Sequence, residues 1–81
     1  MTLEQFQDFV CRERPAKMSE AQALSALHIA VGRLATVEFN MRDSSDPVEK
    51  YRPAARTAIY KILAATALIA ADWGITLDQI A

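Results

Sequence analysis

The chain has 81 residues, a formal net charge of −1 and a hydrophobic share of 52%, which bounds it to one domain able to hide only roughly 60% of the surface its unfolded form would expose. One cysteine (Cys11) and one histidine (His28) exclude an internal disulfide and a Cys/His metal knot, which leaves oligomerisation as the usual way to stabilise so small a domain. Two glycines and three prolines are too little punctuation for an all-β fold, and the slightly acidic balance argues against nucleic acid as a main partner, because nucleic-acid-binding domains are usually basic.

The first helix is expected to start at Thr2, where Thr2-Leu3-Glu4-Gln5 forms a capping box. Leu3, Phe6, Phe9 and Val10 follow as an apolar stripe at helical spacing. Glu13-Arg14-Pro15 ends it, since a residue before proline avoids the helical region. A second box, Ser19-Glu20-Ala21-Gln22, opens a helix expected to run from Glu20 to about Arg42, roughly 34 Å at ~1.5 Å per residue. Leu24, Leu27, Val31, Leu34 and Met41 repeat on one face of it, and Ala23, Ala26, Ala30 and Val37 widen that stripe. So broad an apolar face implies more than one neighbour.

Asp43-Ser44-Ser45-Asp46-Pro47 reads as a loop that also restarts a helix, with Asp46 as N-cap, Pro47 at the first helical position and Glu49 completing the box. Pro53 then interrupts. The reading is a short turn over residues 48–51 followed by a long helix with Pro53 in its first turn; one kinked helix is the alternative. The long helix, residues 53–72, carries Ile59, Ile62, Leu63, Leu68 and Ile69 with alanines between, and from Ile62 onward is apolar nearly all round, the mark of a central, buried helix. Gly74 stops it in a left-handed cap, and Thr76-Leu77-Asp78-Gln79 starts a last short helix.

The expected fold is therefore all-α: two long antiparallel helices in a hairpin, a short helix at each end, and apolar surface left over. Pairing two hairpins into a four-helix bundle buries that surface, so the chain is expected to partner itself as a homodimer or a pair of dimers. Residues 1–12 are mixed and acidic, unlike a secretory signal, and the uncharged, mostly apolar run of residues 62–71 falls far short of the ~20 residues that span a bilayer. A cytoplasmic protein with no membrane partner is the expectation.

The order of elements resembles the MazG-like branch of all-α nucleoside triphosphate pyrophosphohydrolases. Residues 2–10 are similar to that family's opening helix, rich in Leu, Gln and Phe. The segment ALHIAVGRLA, residues 26–35, resembles the stretch in which a leucine-rich turn precedes an E-x-x-E motif around a Val-Gly pair. Residues 58–81 resemble the stretch that opens with E-x-x-D and closes on a Gly-Ile-Asp-Leu-like turn, here Gly74-Ile75-Thr76-Leu77-Asp78. The resemblance implies a MazG-like helical hairpin in a dimeric bundle, and a site where four carboxylates on two helices hold Mg²⁺ to polarise a triphosphate and activate water. Each motif uses i and i+3, which share one face of a helix.

At those four positions the chain departs from the family. Ala30 and Arg33 stand at E-x-x-E, and Ala58 and Lys61 at E-x-x-D. No acid remains, and a hard cation that needs oxygen ligands meets two positive charges instead. The resemblance thus implies a degenerate relative with no metal cofactor, which binds without hydrolysing. Arg33 and Lys61 are candidate phosphate contacts, since a guanidinium fork suits phosphate geometry; the plain alternative is that both are solvated or paired with acids such as Glu38 of a partner chain. Arg56, one turn beyond Arg52 and near Lys50, is a candidate rim residue, against the reading of a solvated charge cluster.

The remaining residues have ordinary readings beside their functional ones. His28 lacks a nucleophile in motif context and fits a packing or interface role. Cys11 lies beside Arg12 and Arg14, which would activate a thiol, but no Cys-His pairing is suggested and an ordinary free thiol is the expected reading. Trp73, Tyr51 and Tyr60 fit packing anchors as well as base-stacking platforms, and Asp72 fits an exposed acid at a helix end. Three functions follow: a nucleotide or phosphorylated small-molecule binder; a helical protein-interaction module, inhibitor or adaptor, including a mobile-element protein that antagonises a host factor; or an active pyrophosphohydrolase that uses acids outside the motif positions or supplied by a partner subunit.

Overall fold

A computed structural model describes residues 1–80 of the chain. Four α-helices and one 3-10 turn account for 78% of the described residues, with no strand among them. Helix α1 spans Leu3–Glu13, α2 Glu20–Arg42, α3 Arg52–Asp72 and α4 Leu77–Ile80, and the 3-10 turn Val48–Lys50 joins α2 to α3.

Local chemistry sets the boundaries. Both opening boxes form reciprocally: Gln5 N–H donates to Thr2 Oγ1 (3.0 Å) while Thr2 N–H donates to Gln5 Oε1 (2.8 Å), and Ser19 and Gln22 do the same at the start of α2. Arg14, before Pro15, is already extended and closes α1. Gly74 takes φ 69° after α3. The N–H of Ile75 then reaches back to Ala70 O (2.8 Å) and that of Gly74 to Ala71 O (3.0 Å), the paired bonds of a Schellman cap.

Two boxes differ from expectation. Pro47 caps the 3-10 turn without any side-chain bond. Asp46 is not a cap, because its carboxylate takes the Lys50 ammonium at 2.6 Å and its N–H is held by Ser44 Oγ. At α4 only half of the box forms, with Thr76 N–H donating to Gln79 Oε1. Around Pro53 the chain makes a separate turn and helix rather than one kinked helix.

The fold is an antiparallel α2–α3 hairpin with α1 laid across the α3 end. Its seam repeats at alternating steps of four and three: Ala23, Leu27, Ala30, Leu34, Val37 and Met41 on α2, and Tyr51, Ala55, Ala58, Ile62, Ala65 and Ile69 on α3, all buried or half-buried. This is the spacing of knobs-into-holes packing. Alanines at the tightest positions let the two backbones approach closely. The stripe read from sequence is therefore rotated by part of a turn: Leu27, Leu34 and Met41 do line the seam, but Leu24 and Val31 stay exposed beside it. Nor is α3 buried all round, since Leu63 is exposed.

Helix α1 is fixed to the hairpin by three kinds of contact. Val10 is buried with Ala23, Ala67 and Leu68, and the Phe6 and Tyr60 rings meet edge to face at 6.1 Å between centroids. The Gln7 amide, buried, donates to Ala67 O (3.1 Å) and Ile75 O (3.0 Å) and accepts the Leu77 N–H (3.1 Å). Arg14 grips Asp72 with both guanidinium nitrogens, at 2.7 and 2.9 Å. Asp72 is exposed at the helix end, as the sequence suggests, and it is also the partner that ties the close of α1 to the close of α3.

Replacing Gln7 with Leu strips the partners of Ile75 O and Leu77 N–H in a part-buried corner; we expect a loss of about 1–3 kcal/mol in urea unfolding from the stranded polar groups. The Arg14 hydrogen bonds hold the Asp72 carboxyl below its ordinary value near 3.8. A depressed carboxylate stabilises the fold above its unfolded pKa and loses that contribution as pH falls through the lowered folded value. Wild-type protein should therefore be more stable than Asp72→Asn at neutral pH, and their urea midpoints should converge when the solution is taken below the carboxylate range.

Candidate functional site

Where α1 stops covering the hairpin, α2 and α3 leave an open groove of about 720 Å³. Ile29, Gly32, Arg33, Thr36 and Val37 line it from α2, and Ala54, Thr57, Ala58 and Lys61 from α3. The steps 29-33-36 and 54-57-61 are i+3 and i+4 neighbours, so each set shares one helix face. Because the helices run antiparallel, those two faces open on the same side.

The four positions singled out by the family resemblance lie at this level of the hairpin. Ala30 and Ala58 sit in the seam, 1% and 3% exposed. Arg33 and Lys61, three residues further along each helix, stand at the walls of the groove. The groove is otherwise apolar apart from two threonines, and both hydroxyls donate to their own helix: Thr36 to Gly32 O (3.0 Å) and Thr57 to Pro53 O (3.1 Å). The side-chain donors left for a ligand are therefore the guanidinium and the ammonium. No acid lines the groove among the described residues, and neither cation takes part in an ion pair there.

Arg56 is not part of this arrangement. It lines a separate shallow hollow with Arg52, Ala55 and Ile59. Five residues at ~100° each carry it about 140° around the helix from Lys61, so it faces the other side of the hairpin. Other charges are matched locally: Glu38 pairs with Arg42 (2.8 Å) on its own helix, Lys50 with Asp46, and Arg52 lies 3.9 Å from Glu49. Glu38 thus has a partner within the protomer.

Gly32 serves openness rather than tight packing, since nothing lies within 4 Å of where its Cβ would stand. Sequence reading picked out Arg33, Lys61 and Gly32 but not Ile29, Thr36, Val37, Ala54 or Thr57; their i+3 and i+4 spacing from the two cations is the signal that finds them. No group of three or more His, Cys, Asp or Glu residues comes together to hold a metal ion among the described residues. Helix α3 is long and apolar enough to cross a membrane by length and composition, with 28% of its most apolar window buried in the protomer. No family model, curated protein or solved structure matches the chain.

The close approach of the helices beneath the groove can be checked by substitution. Ala30→Leu pushes three carbons into a seam with no space for them and should cost about 1–3 kcal/mol of stability by overpacking, whereas the same change at exposed Ala35 should leave the urea midpoint nearly unmoved.

Proposed function

We propose that this protein is a MazG-like binding protein without hydrolytic activity, which takes a nucleotide or another phosphorylated small molecule in the α2–α3 groove. Arg33 and Lys61 contact the phosphate oxygens directly, with no metal ion between. The observation that carries this reading is the placement of two unpaired cations on facing walls of one apolar groove that no acid lines. In an active relative, carboxylates on the two helices would hold Mg²⁺ and the metal would meet the phosphates. Here the protein's own charges have the sign that the metal would supply. The apolar walls, Ile29, Val37, Ala54 and Ala58, suit the uncharged body of such a ligand. The proposal places the protein in the cytoplasm as a paired hairpin, a sensor or sink for its ligand.

A second reading, a helical protein-interaction module acting as inhibitor or adaptor, is favoured by the same apolar walls, which would accept the face of a partner's helix. An enzyme reading requires acids outside the motif positions or from a partner subunit.

Calorimetric titration of nucleoside mono-, di- and triphosphates, first with Mg²⁺ and then with a chelator, separates the three. We expect binding that survives chelation and weakens about tenfold to a hundredfold in Arg33→Ala or Lys61→Ala, the scale of one charge-assisted hydrogen bond. Absence of binding under both conditions would transfer the groove to a protein partner. Release of pyrophosphate that depends on Mg²⁺ would restore the enzyme.

A further inference from the structure

The walls of the groove say what kind of body the phosphate is attached to. A site that selects a nucleobase stacks its face on an aromatic ring or pairs its edge with fixed donors and acceptors. No aromatic ring lines the groove among the described residues. Tyr60 packs against Phe6, Tyr51 lines a separate hollow with Met41 and Val48, and Trp73 bonds to Glu20 at the far end of the hairpin. Both threonine protons are committed to Gly32 O and Pro53 O. A base or a sugar would therefore meet no donor beyond the two cations, which the phosphate takes.

Charge is also distributed unevenly along the groove. Because the helices are antiparallel, Ile29 and Lys61 lie at one end and Val37 and Ala54 at the other. The groove runs roughly 12 Å from Ile29 to Val37 at ~1.5 Å per residue. Lys61 marks one end and Arg33 the middle, and no charged residue lines it beyond Arg33. One half is cationic and the other is uncharged, the pattern of a molecule with an anionic head and an apolar tail.

We infer that the ligand of this groove is an amphiphilic phosphate monoester, with its head on Arg33 and Lys61 and a plain hydrocarbon tail along Gly32, Val37 and Ala54, and not a nucleotide. The inference rests on the proposed anion site and narrows its ligand class. A phosphate monoester carries close to two negative charges at neutral pH, matched by two cations that have no ion pair among the described residues. The tail needs no hydrogen-bond partner and gains from every methylene it removes from water. Gly32 keeps its path open, since no heavy atom stands within 4 Å of the missing Cβ.

The test is calorimetric titration of the full chain, in chelator, with hexyl, octyl and decyl phosphate below the concentrations at which they form micelles, beside adenosine monophosphate and decanol. Affinity should rise about fourfold for every two carbons, the scale of methylenes half removed from water. Decyl phosphate should bind at least about tenfold more tightly than adenosine monophosphate. Arg33→Ala should weaken the whole series alike. Gly32→Leu fills the tail path and should abolish the gain with chain length. That variant keeps the fold, because the space is empty and leucine favours a helix over glycine.

Adenosine monophosphate binding as tightly as decyl phosphate would overturn the inference and leave the proposed function standing, and so would a chain-length gain that Gly32→Leu leaves intact. Decanol binding as tightly as decyl phosphate, untouched by Arg33→Ala, would overturn both. Failure of every probe would do the same. Flotation with phosphatidate vesicles, without binding of free decyl phosphate, would overturn the inference in favour of a lipid surface.

Discussion

Everything in this protein depends on how close α2 and α3 can come. Ala23, Ala30, Ala58 and Ala65 occupy seam positions where a larger side chain would hold the helices apart. Tight contact gains dispersion over many atom pairs, but an alanine hides little area, and burial is worth only ~25 cal/mol per Å². No large side chain among the described residues is fully buried. The hairpin is thus well fitted yet thinly covered, and the large apolar residues that would form a deeper core in another fold remain on its outer faces. The groove has the same origin: small residues at Gly32, Ala54 and Ala58 leave the space that Arg33 and Lys61 overlook.

The C-terminal corner answers the weakness of that seam with polar chemistry. Gln7 satisfies a helix carbonyl, a turn carbonyl and the first N–H of α4 at once, and Arg14 and Asp72 close the outer edge. Arg14 Nε is shut off from solvent without a partner, a desolvation cost that the two bonds to Asp72 offset. Directional bonds such as these specify one docking angle for α1, which alanine contacts alone would leave soft.

Helix starts and stops were legible in the sequence because they are written in neighbouring residues: Thr2 with Gln5, Ser19 with Gln22, Pro15, and Gly74. Asp46 misled because its carboxylate found a stronger partner in Lys50 one turn ahead. The seam was legible only in part. A helix that is apolar most of the way round gives periodicity no clear phase, so Leu24 and Val31 looked as buried as Leu27 and Leu34. Gln7 and the Arg14–Asp72 pair were invisible, because their partners lie about 60 residues away and nothing local marks them. For the groove, a family resemblance brought Arg33 and Lys61 together; helical spacing alone then excludes Arg56, which the resemblance did not require.

Trp73 adds a property of a different kind. It is the only tryptophan, it follows the last residue of α3, and its indole N–H donates to Glu20 Oε1 (2.6 Å) in the first turn of α2. One ring therefore spans the end of the hairpin where two helices and the α1 connection meet, while 71% of the residue faces water. The molecule carries a built-in optical gauge at its open end: indole emission there senses whether the start of one long helix and the finish of the other remain in register, whatever happens at the groove or on the opposite face.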